Sequence, residues 1–193
     1  MTSAYSANAV FLRHVIDEDL PHFFDHQRDA RAIHMAAFTA DDPSDQAAFV
    51  SHWRQIRSDA SVLNRTIDHG GEVVGYIASF EDEGRREITY WIAPARWGCG
   101  YASEALRHFL TFETNRPLYA RVASDNLGSF RVLQKHGFQP ILETMSYANA
   151  RNAVIAETLL ELLGSVLGQD RFDVSRDMCA QKDTDEFARR LQS

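Results

Sequence analysis

A short loop with two glycines, Trp97-Gly98-Cys99-Gly100-Tyr101-Ala102, lies directly between a predicted strand and a predicted helix. The strand is the apolar run 87–93, and residues spaced three and four apart over 102–110 predict the helix. The first turn of a helix leaves its backbone N–H groups without intrahelical acceptors and carries about half a positive charge. Small residues before such a turn let a phosphate approach those groups closely. The loop therefore predicts an anion site, although a tight strand-to-helix turn without a ligand is an equal alternative.

Composition narrows the class of partner. The chain has 193 residues with 20 Lys+Arg against 27 Asp+Glu, a net charge of −7. Proteins that bind nucleic acid usually present a basic surface, so we expect neither nucleic acid nor a membrane as a partner. No apolar run approaches the ~18 residues of a membrane span. Two cysteines make neither a disulfide framework nor a metal cluster, so a cytoplasmic location and no metal site are expected.

The predicted elements alternate in a recognisable order. Apolar runs bounded by turn residues predict a meander of antiparallel strands, followed by helix, strand and helix. The stretch 154–162 is open to either a helix or a buried strand. Asp17 and Ser44 are the predicted N-caps of the first two helices. The predicted strands are 9–16, 62–67, 72–80, 87–93 and 118–123, and the later helices are 102–110 and 127–136.

A second motif follows the strand 118–123. It reads N-L-G-S-F-R-V-L-Q-K-H-G-F from Asn126. Together with R-W-G-C-G-Y-A-S-E-A-L from Arg96, it resembles the GNAT superfamily of acyl-CoA-dependent N-acyltransferases. Trp97 stands at the Gln/Arg position of the family's phosphate loop. That replacement and the pair Asn126 and Ser129 resemble the RimJ/RimL type, the ribosomal-protein N-terminal acetyltransferases. The resemblance covers about Val10 to Leu163.

The resemblance implies an α+β fold with a mixed, mostly antiparallel sheet of seven strands and about four helices. It implies that the sheet splays between its fourth and fifth strands, where coenzyme A enters. It also assigns 154–162 to a strand. On this basis residues 1–164 form the N-acetyltransferase domain, and residues 165–193 are a C-terminal extension that is helical or mobile.

The same resemblance implies acetyl-CoA as co-substrate and assigns the residues that hold it. The backbone of the fourth strand would contact the pantetheine arm, the glycine loop would hold the pyrophosphate, and the helix after the fifth strand would also contact the cofactor. The residues assigned in this way are Trp91, Ile92, Ala93, Trp97, Gly98, Cys99, Gly100, Tyr101, Ala102, Asn126 and Ser129.

Transfer of an acyl group to an amine requires a base, an oxyanion donor and a route for the departing thiolate. Some members of the superfamily carry a catalytic glutamate on the fourth strand, so the resemblance implies Glu87 as the base, acting through water. The alternative is a strand-end glutamate paired with Arg85 or Arg86. A backbone N–H near Ile92 would hold the oxyanion. Many family members carry a tyrosine where this chain has Leu133. Ser129 is the predicted substitute acid, the alternatives being a packed helix residue and an unassisted thiolate.

The predicted function is transfer of an acetyl group from acetyl-CoA to a primary amine by direct attack. The acceptor is a small-molecule amine or a peptide N-terminus, and a homodimer is expected. Acidic residues on the first helices favour a cationic acceptor: Asp17, Glu18, Asp19, Asp25 and Asp29. The first alternative is a non-catalytic acyl-CoA-binding sensor or scaffold. A nucleotide-binding oxidoreductase is a more distant alternative, because Ser103 replaces the third glycine of the dinucleotide fingerprint.

Overall fold

A computed structural model describes residues 9–164 as one seven-stranded sheet with helices on both faces. The strands are β1 (Val10–Arg13), β2 (Leu63–His69), β3 (Glu72–Asp82), β4 (Arg85–Ile92), β5 (Leu118–Ala123), β6 (Gln139–Ala148) and β7 (Ala153–Leu162). The helices are α1 (Leu20–Gln27), α2 (Ala30–Ala36), α3 (Gln46–Ser58), α4 (Tyr101–Phe109) and α5 (Leu127–Lys135). The predicted fold class is confirmed.

The sheet is split at the join between β4 and β5. Its order is β1-β2-β3-β4-β5-β7-β6, and every neighbouring pair is antiparallel except β4 and β5. Those two strands run parallel and share only the register pairs Arg86–Leu118 and Glu87–Tyr119. Beyond Glu87 the remaining residues of β4 have no partner in β5. The predicted opening between the fourth and fifth strands is therefore confirmed.

Both faces of the sheet are covered, which explains the nearly continuous apolar run in β3. One core packs α4 and α5 against the strands, with Leu106, Phe109 and Leu133 buried. The other core lies under α1 and α3, where the ring centroid of Trp53 is 4.9 Å from that of Phe23. A strand buried on both faces has no polar side to show.

The helix count and two caps differ from the prediction. The described residues hold five helices, because α2 has only seven residues and no apolar periodicity to predict it. Asp17 lies in a 3-10 turn before α1 and pairs with Arg57, so it is not the helix cap. The cap of α3 is Asp45, whose side chain accepts the N–H of Ala48 at 2.9 Å, and not Ser44. A residue caps a helix when its side chain accepts a hydrogen bond from an N–H of the first turn, and here that residue is Asp45.

The C-terminal strand settles the ambiguous stretch. Residues 153–162 form β7, which pairs on both sides, with β5 and with β6. Tertiary pairing thus overrides the helical propensity of the alanine, glutamate and leucine residues. The predicted extension 165–193 lies outside the described residues, as do residues 1–8. Among the described helices, none is long and apolar enough to cross a membrane.

Candidate active site

A cavity of about 610 Å³ occupies the gap between β4 and β5. The glycine loop and the first turns of α4 and α5 line it on one face of the sheet. On the other face its wall is made by α2 and by side chains of β5 and β7. The cavity therefore passes through the sheet and connects two differently lined sides, which we call the loop side and the α2 side.

The glycine loop presents the N-terminus of α4 to this cavity. Gly98 and Gly100 have φ values of +75° and +85°, which only glycine adopts without strain. Gly100 is the N-cap residue of α4, and no side chain caps the helix. A Cβ added at either glycine would meet no atom within 4 Å, so the space above the loop is open. The first-turn amides thus face a space in which an anion fits.

The predicted loop residues differ in their relation to the cavity. Trp97, Gly98, Gly100, Tyr101 and Ala102 all line it. Cys99 is absent from the lining and is exposed, with its sulfur 3.6 Å from the carbonyl oxygen of Trp97.

Hydrogen bonding to β3 decides which backbone groups of β4 face the gap. The amide of Ala93 donates to the Val74 carbonyl at 2.9 Å, and its own carbonyl accepts from Arg96 at 2.8 Å. Because alternate residues of an antiparallel strand point their peptide groups to opposite sides, Tyr90 and Ile92 direct theirs away from β3. Of the predicted trio, Ile92 presents its backbone to the gap, whereas the peptide groups of Ala93 are already bonded.

Trp91 and Trp97 reach the cavity in different ways. Trp91 alternates with Ile92 and therefore points its side chain to the α2 side, where its indole N–H donates to the His26 carbonyl at 3.2 Å. The indole N–H of Trp97 donates to the Ile92 carbonyl at 2.8 Å. Trp97 thereby fastens the glycine loop to the end of β4.

Asn126 joins α5 to α2. Its side-chain oxygen accepts the Ser129 N–H at 3.1 Å, and its amide nitrogen donates to the Met35 carbonyl at 3.2 Å. Ser129 lines the cavity, and its carbonyl accepts a hydrogen bond from the Tyr90 hydroxyl at 3.3 Å. Burial raises the pKa of Tyr90 to about 12, so the phenol stays neutral. Leu133 is buried one turn after Ser129 and also lines the cavity.

Glu87 is buried behind Arg121. The carboxylate is 3% exposed, and both of its oxygens accept from Arg121 Nε, at 3.1 and 3.3 Å. Arg121 belongs to the cavity lining, whereas Glu87 does not. Burial raises the pKa of Glu87 to about 7; the nearby charges of Asp82 and Glu157 add to the rise, and Arg121 opposes it. The alternative pairing of Glu87 with Arg86 does not occur, since Arg86 pairs with Glu113 at 2.8 Å.

The two predicted catalytic residues lie on opposite faces of the sheet. Ser129 is on the loop side, and Glu87 is on the face that packs against α1 to α3, like its register partner Phe80. The sequence interpretation missed Arg121, Glu157 and Tyr90, all of which line the cavity. Strand alternation from the apolar residues of β5 could have placed Arg121 on the α2 side.

The acidic residues behind the cationic-acceptor hypothesis are largely compensated by arginines. Asp19 is buried and pairs with Arg13 at 2.6 Å. Asp29 caps α2 and pairs with Arg31 at 2.8 Å. Since Asp17 also pairs with an arginine, these three carboxylates add little net field at the cavity mouth.

Solved structures of other proteins share this architecture. One is the RimL ribosomal L7/L12 alpha-N-protein acetyltransferase in complex with coenzyme A, 16% identical over 80% of this chain and 94% of that chain, with a TM-score of 0.68. Another is ribosomal-protein-alanine N-acetyltransferase from Brucella melitensis, 18% identical over 79% and 99%, with a TM-score of 0.66. A third is spermidine N-acetyltransferase from Vibrio cholerae in complex with CoA and spermine, 16% identical over 80% and 95%, with a TM-score of 0.67. At these identities the likeness shows the fold.

The sequence itself carries the family assignment. No curated protein sequence matches the chain significantly. The profile of the Acetyltransferase (GNAT) domain family, however, matches residues 9–139, more than half of the chain. This range includes the glycine loop, the split between β4 and β5 and the Asn126 cap. With its cavity opening at the N-terminus of α4, the chain thus belongs to the GNAT family of acetyltransferases.

Proposed function

We propose that the protein transfers an acetyl group from acetyl-CoA to a primary amine, either a small molecule or a peptide N-terminus. One observation carries the proposal: a single cavity joins the open amides of α4 to the α2 side through the gap between β4 and β5. A donor that enters from one face and an acceptor that enters from the other would meet within the sheet. The RimJ/RimL type, a homodimer and a cytoplasmic location remain predictions.

The loop side suits coenzyme A. The amides of Tyr101, Ala102 and Ser103 belong to the first turn of α4, and the space above Gly98 and Gly100 accepts a diphosphate. At the gap edge, the N–H of Ile92 and the peptide groups of Tyr90 can serve the pantetheine arm and the acetyl group, while the Ile92 carbonyl holds the indole of Trp97. Two of the structural relatives hold CoA. The thioester supplies the activated acetyl group, and the chain's own residues bind and orient it.

The reaction needs a proton removed and a charge stabilised. The neutral amine nitrogen attacks the acetyl carbon, the C–S bond breaks, and the thiolate leaves. The N–H of Ile92, or that of Tyr90, faces the gap and can donate to the developing oxyanion. We assign Glu87 as the base that takes the amine proton through water, and Ser129 as the hydroxyl that donates its proton to the thiolate while it takes one from solvent water. Ser129 lines the cavity from the loop side, which is the side that the thiolate would occupy.

An amine acceptor is supported by chemistry and by the relatives. Acetyl transfer from a thioester to an amine yields a stable amide and needs no further cofactor. Two of the structural relatives are ribosomal-protein N-acetyltransferases, and the third is a spermidine N-acetyltransferase. The test is a thiol-release assay with acetyl-CoA and a panel of monoamines, polyamines, amino acids and peptides. Turnover of at least one amine supports the proposal. Tight CoA binding by calorimetry without turnover of any would favour the non-catalytic sensor.

The glycine loop offers a matched pair of variants. Gly100 and Gly71 have the same φ, +85°, and a Cβ at either position meets nothing within 4 Å. Both alanine variants should lose about 1–2 kcal/mol of stability from the left-handed conformation. Only Gly100→Ala should also weaken acetyl-CoA binding, by about 10- to 100-fold. Its methyl group would displace a phosphate from the backbone N–H groups at the start of α4, and those hydrogen bonds would be lost. Calorimetry measures the acetyl-CoA affinity of both variants. Equal affinities in the two would contradict a diphosphate site at this loop.

A further inference from the structure

Two charged side chains from neighbouring strands lie together on the α2 side of the cavity. Arg121 on β5 is paired with Leu159, and Ala123 with Glu157 on β7. Arg121 and Glu157 are therefore diagonal neighbours on one face of the sheet, a spacing of about 7–8 Å that long side chains can bridge. Both line the cavity. The acceptor entering from this side meets a positive and a negative group at once.

Arg121 is held in a fixed orientation by one nitrogen. Its Nε donates to both oxygens of Glu87, and its side chain is 16% exposed. Its hydrogen bonds to residues 9–164 all use Nε, which leaves the Nη1 and Nη2 donors for a ligand. A guanidinium carries five N–H donors in a rigid fork that matches a carboxylate. The buried pair with Glu87 thus fixes the guanidinium at the cavity wall, since Arg121 is one of the lining residues.

Glu157 supplies the opposite charge. It is 7% exposed, and it accepts a hydrogen bond from the Ser146 hydroxyl at 3.1 Å. An ionised carboxylate accepts hydrogen bonds only, so its ligand must be a donor. An ammonium group provides three donors and a matching charge. Burial acts to lower the pKa of Arg121, but the charges of Glu87 and then of Glu157 outweigh it, so the pKa of Arg121 is raised.

Apart from Thr89 on β4, the wall on this side is mainly apolar. Ala32, Met35, Ala36 and Phe38 from α2 and the segment after it line the cavity opposite the two charged groups. Carbonyls of this segment are held in place, since Asn126 bonds Met35 and the Ala150 amide bonds Ala37 at 3.1 Å. The wall is therefore a fixed apolar surface, which suits a hydrocarbon side chain.

We propose that Arg121 and Glu157 form the acceptor subsite, and that they bind a free amino acid with an apolar side chain. Arg121 holds the carboxylate through its Nη groups, and Glu157 receives the ammonium group before it loses its proton. The side chain of the acceptor packs against α2. The inference rests on the proposed function and narrows its acceptor from any primary amine to one that carries a carboxylate beside the nitrogen.

Matched acceptors distinguish the contribution of the acceptor's carboxylate from that of its ammonium group. The assay compares leucine and phenylalanine with their amides and with the decarboxylated amines 3-methylbutylamine and 2-phenylethylamine. The wild-type enzyme should acetylate the amino acids with kcat/KM at least 30-fold above the amides and amines. In Arg121→Gln the KM for the amino acids should rise about 30-fold, while the amines, which lack the carboxylate, keep their KM. Glu157→Gln should raise KM for all three types of acceptor. Arg107→Gln, an exposed change on α4, is the control.

The outcomes distinguish this inference from the function on which it rests. Transfer to amines or amides at rates equal to or above those of the amino acids would keep the acetyltransferase and overturn the subsite. The subsite is also overturned if Arg121→Gln lowers kcat/KM equally for all acceptors while calorimetry shows unchanged CoA binding. Absence of transfer from acetyl-CoA to any amine would overturn the proposed function and this inference together.

Discussion

The variant Arg86→Met is expected to lower the free energy of unfolding by about 3–5 kcal/mol, because it leaves a buried carboxylate without its counter-charge. Glu113 is only 2% exposed in its side chain and accepts from Arg86 Nε at 2.8 Å. Arg86 also donates to the Ser79 hydroxyl and the Ser61 carbonyl, at 2.9 and 2.6 Å. The ion pair lies where β4 meets β5, so its loss would loosen the base of the split. Denaturant unfolding measures the effect.

Two further variants test the cause of the stability lost in Arg86→Met. Arg31→Met removes an arginine from an exposed ion pair with Asp29 and should lower the free energy of unfolding far less, because water screens such a pair. The double variant Arg86→Met/Glu113→Leu should recover most of the loss, since removing both charges leaves none buried alone. Equal losses for Arg86→Met and Arg31→Met would show that the Glu113 site is open to water in solution.

The second large effect is expected from Glu87→Gln, which should lower kcat about 100-fold while leaving the KM for acetyl-CoA unchanged. A positioned general base typically contributes 10²–10⁴-fold to the rate. Glu87 must be ionised to accept a proton, and its pKa is raised to about 7, first by burial. Wild-type kcat should therefore rise with pH through about 7. This inflection should be absent from the variant, whereas any inflection from the amine itself should persist.

Glu83→Gln, an exposed change in the β3–β4 turn, serves as the control for this experiment. Ser129→Ala should lower kcat as well. The loss should be larger with acetyl-CoA than with an acetyl thioester whose thiol is a better leaving group. If Glu87→Gln retains the wild-type kcat and pH profile, Glu87 has no part in the chemistry, and its contact with Arg121 is its whole role.

Much of the fold could be predicted from local patterns. The glycine loop predicted the start of α4 within one residue, and β5 has the predicted bounds. The helix α2 could not be predicted, because it has seven residues and is held by contacts from distant parts of the chain. One such contact is the bond from Arg151 to the His34 carbonyl at 2.8 Å. Tertiary contacts of this kind leave no periodic pattern in the sequence.

The candidate site divides in the same way. The loop side consists of consecutive residues, so the phosphate loop could be assigned from its motif. The α2 side is assembled from β5, β7 and α2, which are far apart in the chain, and Glu157 lay in the stretch whose secondary structure was ambiguous. Local patterns also could not show that Glu87 is turned away from the cavity behind Arg121, because that requires the register between β4 and β5.

The two-residue ladder between β4 and β5 divides the backbone hydrogen bonding of the sheet into two pieces, β1 to β4 and β5 to β7. A ligand seated between the strands would bond to both pieces and replace the missing rungs. Its binding energy would then appear as slower amide exchange in β5 and β7, and also in β6, which contributes no residue to the cavity lining. Saturation with coenzyme A should therefore slow amide exchange in β5 to β7 more than in β1 to β4.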